Sequence, residues 1–179
     1  IFLNQEELKK LKEYKVPNNK NYLERVKDVF IFLCYSGLRY SDAYNLKRSD
    51  IKEDYFEITT VKTGDSLVIE LNKNTKEILE KYKEIPFPKN KALPVISNQK
   101  MNDYLRELAE LAGIDESIRT TFYKGNDRID EVTPKYKLLG THAGRRTFIC
   151  NALSLGIPIN VVMKWTGHSD YKSMKPYID

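Results

Sequence analysis

A chain of 179 residues, 41% apolar and 31% charged, is long enough for one ordinary domain that buries a core without disulfides or structural metals. Its most apolar stretch, VFIFLCYSGL, is far shorter than the roughly 20 residues that cross a bilayer, and no secretory leader pattern opens the sequence, so we expect an intracellular, cytoplasmic protein with no membrane partner. Lys plus Arg number 30 against 25 Asp plus Glu, and the net charge of +5 is compatible with a polyanion such as nucleic acid without requiring one.

The run from Asn4 to Tyr14 opens with a polar cap and continues at a helical period. After Pro17, NYLERVKDVFIFLCYSG reads as a long helix with Val26, Val29, Phe30 and Leu33 at three- and four-residue steps, and Gly37 suits a left-handed terminator. Ser41 is the expected cap of a short helix, SDAYNLK. The texture changes at Tyr55: YFEITT and SLVIEL are β-rich runs joined through VKTGD, whose Gly64 and Asp65 are turn residues, which predicts a hairpin. NTKEILEKYKE returns to helix, IPFPKNKALPV is a proline-broken connection, and SNQKMNDYLRELAELAG is a capped amphipathic helix closing at Gly113.

Residues 117–138 suggest a second, more irregular hairpin around KGNDR. Thr141 is placed to cap HAGRRTFICNALSLG, in which Phe148, Cys150, Leu153 and Leu155 are expected to face a core. Pro158 fits the first turn of IPINVVMKWTG, and SDYKSMKPY forms a final short helix. Cys34 and Cys150 sit in apolar patterns and read as buried free thiols. The predicted class is mainly α with small antiparallel β-hairpins, an α+β domain over residues 1–179. A start at Ile1 rather than Met suggests a piece of a longer protein.

Several polar residues each have a plain explanation when taken alone. Arg39 could pair with Asp42 at the surface, and Lys62 at a hairpin tip could serve solubility. His142 and Arg145, one turn apart on a helix start, could be a cap contact and a surface charge, and His168 could pack beside Trp165. Tyr177 and Tyr171 are two of twelve tyrosines. One chemistry, however, calls for the whole set: attack of a tyrosine hydroxyl on a phosphodiester. The phenol, with a pKa of about 10, needs a neighbour to take its proton. Two arginines suit the charge that grows on the phosphoryl oxygens. A lysine can protonate the departing 5′ oxygen, and histidines move protons near neutral pH. That chemistry needs no metal, and no metal-ligand spacing is visible.

In order, SGLRYSDAYNL, VKTGDSLVIEL, THAGRRTF and GHSDYKSMKPY resemble the boxes of the tyrosine recombinase, or phage-type integrase, family over nearly the whole chain. That resemblance implies the recombinase catalytic-domain fold and a DNA strand transferase that cuts and rejoins strands through a 3′-phosphotyrosyl intermediate, for integration or excision of a mobile element. It implies Tyr177, nine residues after His168, as nucleophile; Tyr171 does not meet that spacing and is expected to pack. Arg39 and Arg145 would clamp the phosphate and Lys62 would be the general acid. His142 would serve proton transfer for the tyrosine, His168 would hydrogen-bond the phosphate, and Asp42 would support the site from behind. The partner implied is double-stranded DNA, with a homotetramer on DNA in the full-length parent and a monomeric fragment here, and no cofactor or metal. Many relatives carry a histidine where this chain has Arg146, and the usual N-terminal DNA-gripping domain and C-terminal docking helix have no counterpart in these residues. The alternatives are a type IB topoisomerase-like enzyme, against which the compact His-x-x-Arg helix and the GHS box speak, and a catalytically idle DNA-binding regulator, which has no need of a nucleophile.

Overall fold

A computed structural model describes residues 1–178 of the chain. Asn4 caps α1 (Gln5–Glu13) reciprocally: its Oδ1 accepts from the Glu7 N–H at 2.9 Å, and the Glu7 carboxylate accepts from the Asn4 N–H at 3.2 Å. In α2 (Asn21–Ser36), Val26, Val29, Phe30 and Leu33 are buried as their spacing predicts, but so are Lys27 and Asp28. Both charges are tolerated because each is bonded. Lys27 Nζ donates to the Tyr14 carbonyl at 2.9 Å, while Asp28 accepts from Lys81 at 2.7 Å and from the Tyr82 hydroxyl. α2 is therefore the central helix of the domain, covered on nearly all sides.

Gly37 ends α2 at φ +75°, with its N–H on the Leu33 carbonyl at 2.9 Å. A Cβ there would also stand 2.6 Å from Phe148 Cδ1, so two separate constraints select glycine. The next helix starts earlier than the serine suggests. Arg39, extended at φ −71° and ψ 154°, is the capping position of α3 (Tyr40–Asn45), and its carbonyl accepts from the Asp42 and Ala43 N–H groups at 3.1 Å. Ser41 lies inside the first turn, since the chain needs only two residues after Gly37 to turn.

β1 (Tyr55–Thr59) and β2 (Ser66–Glu70) pair antiparallel, with Tyr55 opposite Glu70 and Thr59 opposite Ser66. After α4 (Lys73–Lys81) and α5 (Asn98–Leu111), the second hairpin is more regular than its sequence suggests. β3 (Ser117–Lys124) and β4 (Asp127–Pro134) keep one register from Ser117–Pro134 to Lys124–Asp127. Its polar residues blur the apolar alternation because most of this ribbon is exposed on both faces.

α6 (His142–Ser154) lies against α2 through Gly144, where a Cβ would come within 2.6 Å of Leu33 Cβ. Thr141 precedes α6 without capping it. Its hydroxyl donates to Asn98 Oδ1 at 3.0 Å and its N–H to Asn102 Oδ1 at 2.8 Å, so it anchors the helix start to α5 instead. The N-terminal strap is fixed to the same helix: the Leu3 N–H donates to Thr147 Oγ1 at 3.0 Å and Asn151 donates to the Leu3 carbonyl at 3.2 Å. Pro158 stands just before α7 (Ile159–Thr166). The final helix is split into a 3-10 turn (Tyr171–Met174), capped by Asp170 Oδ1 on the Ser173 N–H at 2.8 Å, and α8 (Lys175–Ile178).

Two apolar clusters result. The large one joins α1 to α5 with the first hairpin, and a small one of Ile149, Ala152, Val162 and Met174 joins α6, α7 and the last turns. Two expectations of burial fail: Leu155 is 67% exposed at the α6 end and Tyr171 is 56% exposed, each beyond the edge of the small cluster. Cys34 is buried and Cys150 half-buried, both free thiols. No helix among the described residues is long and apolar enough to cross a membrane.

Because α6 and α2 touch backbone to side chain at Gly144, we expect Gly144→Ala to lower stability by about 1–3 kcal/mol, as overpacking does. A urea midpoint equal to wild type would mean that the two helices can part without cost.

Candidate active site

Arg145 is the residue around which the predicted set assembles. It projects from the first turn of α6 and is 3% exposed. One terminal nitrogen donates to the Gly37 carbonyl at 2.8 Å and the other to the Thr166 carbonyl at 2.9 Å. These acceptors are at the C-terminal ends of α2 and α7, where unpaired carbonyls and the negative end of the helix dipole favour a cation. Burial and then the neighbouring Arg39 depress the Arg145 pKa to about 10, opposed by the Tyr177 phenol and by Asp42. The guanidinium remains charged at neutral pH.

Arg39 stands half-buried at the start of α3 and is not paired with Asp42. Asp42, itself buried, accepts instead from the Val61 N–H at 2.9 Å. That bond ties α3 to the turn next to Lys62. The turn is closed internally by the Thr60 N–H on the Asp65 carbonyl at 2.8 Å, the Gly64 N–H on the Thr60 carbonyl at 2.9 Å, and the Thr60 and Thr63 hydroxyls at 2.7 Å. Lys62 is exposed on it, and its charge acts on both histidines. From the other side, Gly167 ends α7 at φ +77°, where an added Cβ would meet Leu67 of β2 at 3.2 Å. The lysine turn is thus held between the start of α3 and the end of α7.

His142 opens α6 and is solvent-accessible. Its imidazole is held below the ordinary range by partial desolvation and then by Arg146, Arg145, Arg39 and Lys62. His168, after Gly167, is pushed down further, to about 4, by burial, then by Arg145 and Arg39, with Asp170 opposing and Lys62 adding to the shift. Its Nδ1 lies 2.6 Å from the Thr166 hydroxyl, and its ring meets the Tyr177 ring edge-on with centroids 5.9 Å apart. His168 therefore packs on Tyr177, while Trp165 packs at a tilt against Phe148 with centroids 6.0 Å apart.

Tyr177 is half-buried on α8, packed against the small apolar cluster. Its carbonyl accepts from the Cys150 thiol at 3.9 Å, and Arg146 lies over its ring at 5.6 Å. The structure thus brings Arg39, Lys62, His142, Arg145, His168 and Tyr177 within electrostatic or ring contact of one another, with buried Asp42 acting on Arg145. Two further residues meet this set. Arg146 was visible only as a departure from the usual histidine, although its position four after His142 puts both on one side of the helix. Thr166 carried no signal beyond standing two residues before His168. Among the described residues, no group of His, Cys, Asp and Glu is arranged to hold a metal ion.

Electrostatically the site is a concentration of cations that favours neutral imidazoles and lies beside a docked phenol. It fits a tetrahedral oxyanion better than any neutral ligand. The profile of the phage integrase family matches residues 2–179. A probable integrase/recombinase protein of Methanocaldococcus jannaschii is 26% identical over 160 residues, spanning 86% of this chain and 46% of that protein. Among solved structures, the XerA recombinase superposes with a TM-score of 0.70 at 19% identity, over 99% of this chain and 59% of that one. A lambda integrase dimer bound to a COC′ core site gives 0.72 at 18% identity, with the same two coverages of 99% and 59%. At such identities the structural likeness speaks for the fold, and the chain spans about half the length of the curated relative it matches.

The histidines make acid stability informative. Both bind a proton less readily in the folded state than in the unfolded chain, where histidine titrates near 6.5. Between that value and the folded value of about 4 for His168, the unfolded state holds more protons, so stability rises with pH. We expect the melting temperature to fall as pH is lowered through this window, and to fall less in His168→Gln. Equal slopes for the two proteins would show that His168 carries no such linkage.

Proposed function

Since the chain belongs to the phage integrase family, we propose that it is the strand-transferring part of a site-specific recombinase that cuts and rejoins double-stranded DNA through a 3′-phosphotyrosyl link. The observation that carries this reading is the docking of Tyr177 beside Arg145, Arg146 and His168 on a cation-lined face.

In this reading a scissile phosphate enters between Arg39 and Arg145. Arg145 already spends one N–H from each terminal nitrogen on backbone carbonyls, which fixes the plane of the guanidinium and leaves its other N–H groups for the phosphate. Arg39, without an ion pair to Asp42, supplies the second set of donors. The Tyr177 oxygen loses its proton and attacks phosphorus in line with the 5′ oxygen. The new bond joins tyrosine to the 3′ phosphate, and the broken bond frees the 5′ oxygen. Lys62 gives that oxygen its proton, from a turn that Asp42 holds by the Val61 N–H. His142 serves proton transfer for the tyrosine, and His168 contacts the phosphate. The 5′ hydroxyl of a partner strand then attacks the phosphotyrosine, a proton returns to Tyr177, and the phosphodiester is restored without loss of bond energy.

Two DNA strands must exchange, so we propose a tetramer on DNA for the full-length parent and an intracellular setting where DNA is accessible. The lambda integrase structure is of a dimer bound to a COC′ core site, which supports a multi-protomer assembly here. Integration or excision of a mobile element is the reaction we favour.

Incubated with a random-sequence pool of nicked duplexes, the protein should form an SDS-resistant adduct that can be selected and amplified. Tyr177→Phe should abolish it and Tyr171→Phe should not; an adduct with Tyr177→Phe would remove Tyr177 from the role of nucleophile. Arg39→Ala is expected to slow adduct formation about 10²–10³-fold, the usual loss for one donor to a developing oxyanion. A change below tenfold would leave Arg39 outside the phosphate clamp.

A further inference from the structure

The Thr166 hydroxyl has one proton to give, and the structure surrounds it with more than one claimant. Its Oγ1 lies 2.9 Å from the Val162 carbonyl and 3.5 Å from the Met163 carbonyl, both in its own helix, and 2.6 Å from His168 Nδ1. A carbonyl cannot donate, so the short contact to Val162 is attractive only if the Thr166 proton lies in it. With that proton committed, the bond to His168 must run the other way, from Nδ1–H to Oγ1. In the opposite arrangement, Thr166 would donate to a bare Nδ1, and two oxygens would face each other at 2.9 Å with no proton between them. Thr166 is 1% exposed, so no solvent competes for either contact.

We infer that Thr166 is a positioning residue that fixes neutral His168 in the tautomer protonated on Nδ1, leaving Nε2 as a bare proton acceptor in the free protein. The surroundings keep that ring neutral. Arg145 from α6, Arg39 from the start of α3 and Lys62 from the hairpin turn all face it, with Asp170 the one nearby anion among the described residues and the Tyr177 phenol ring at its edge. The consequence for chemistry rests on the proposed strand transfer. A ring held this way cannot donate to a phosphate oxygen until Nε2 takes a proton. In the cleavage step the phenol of Tyr177 releases one. If it passes to Nε2, the phenolate that attacks and the N–H that grips the phosphate arise from one proton movement. His168, rather than His142 alone, would then serve the nucleophile.

The tautomer can be read in the free protein, independently of any reaction with DNA. With only two histidines in the chain, long-range proton–nitrogen spectra of protein labelled with ¹⁵N-histidine are assigned by comparison with His142→Gln. At neutral pH we expect a protonated Nδ1 and a bare Nε2 for His168. Thr166→Val should lose that bias and Thr166→Ser should keep it. A protonated Nε2 in the wild-type spectrum overturns the assignment, even if Thr166→Val does not fold. On nicked duplexes that wild type converts to adduct, Thr166→Val should react roughly tenfold more slowly, about the worth of one hydrogen bond. Thr166→Ser should not, and Thr166→Val should add nothing to His168→Ala. If the tautomer shifts but adduct formation does not slow, Thr166 has no part in the reaction. If wild type forms no adduct, the strand-transfer reading fails while the tautomer stands on the spectra.

Discussion

The Arg145 guanidinium sits between the last carbonyls of two helices, and its burial there sets how close the segments that meet around it can be. A charge taken out of water is costly unless its hydrogen bonds are replaced. Here the replacements are the backbone oxygens of Gly37 and Thr166, groups that the ends of α2 and α7 leave unpaired. The bonds can form only if α6 lies directly on α2, which Gly144 permits, and if the chain turns sharply after Ser36, which Gly37 permits. Shape and charge are thus solved together. The two glycines exist for the approach, and the approach exists for the arginine.

Once Arg145 is in place, the other cations accumulate at a cost. Arg39 and Lys62 act unfavourably on the same two imidazoles, and Arg39 lowers the Arg145 pKa. No fold gains stability from such a gathering, and structural ion-pair networks place acids among their bases. Among the described residues, the carboxylates that offset the charge are Asp42 and Asp170, and the Asp42 carboxylate accepts from a backbone N–H rather than pairing with Arg39. Self-repulsion of this kind makes sense when an anion is the missing partner.

Much of this was legible in the sequence because local chemistry announces itself. A glycine after an apolar helical run, a Gly-Asp turn between β-rich runs, and the fixed intervals from His142 to Arg145 and from His168 to Tyr177 survive any detail of packing. What was not legible depends on contacts between distant segments. Ser41 looked like a cap, yet Arg39 takes that position because the turn after Gly37 is shorter than a serine cap requires. Thr141 looked like another, yet two asparagines of α5 claim its polar atoms. Tyr171 and Leu155 looked like core and lie outside it, since apolar character says nothing of where a small cluster ends. Thr166 was silent because a threonine near a helix end has many uses, and only the nearness of Val162 and His168 selects one.

The small cluster under α8 has a consequence for timing. Of the residues that carry Tyr177 back to the cleft, Met174 is the one buried completely, and Tyr177 itself is only half-buried against Ile149, Ala152 and Val162. Burying one methionine is worth roughly 1.5–3 kcal/mol and an arginine over an aromatic ring about 0.5–2 kcal/mol. Ordering the backbone of only two or three residues opposes this by a similar amount. The large core, by contrast, does not depend on these contacts. Tyr177 is therefore seated by a local equilibrium that is nearly independent of global folding. Its seated fraction multiplies whatever the assembled site can do, so a neighbour that grips or releases this last segment would govern the site as a tap governs flow, with every side chain in it left unaltered.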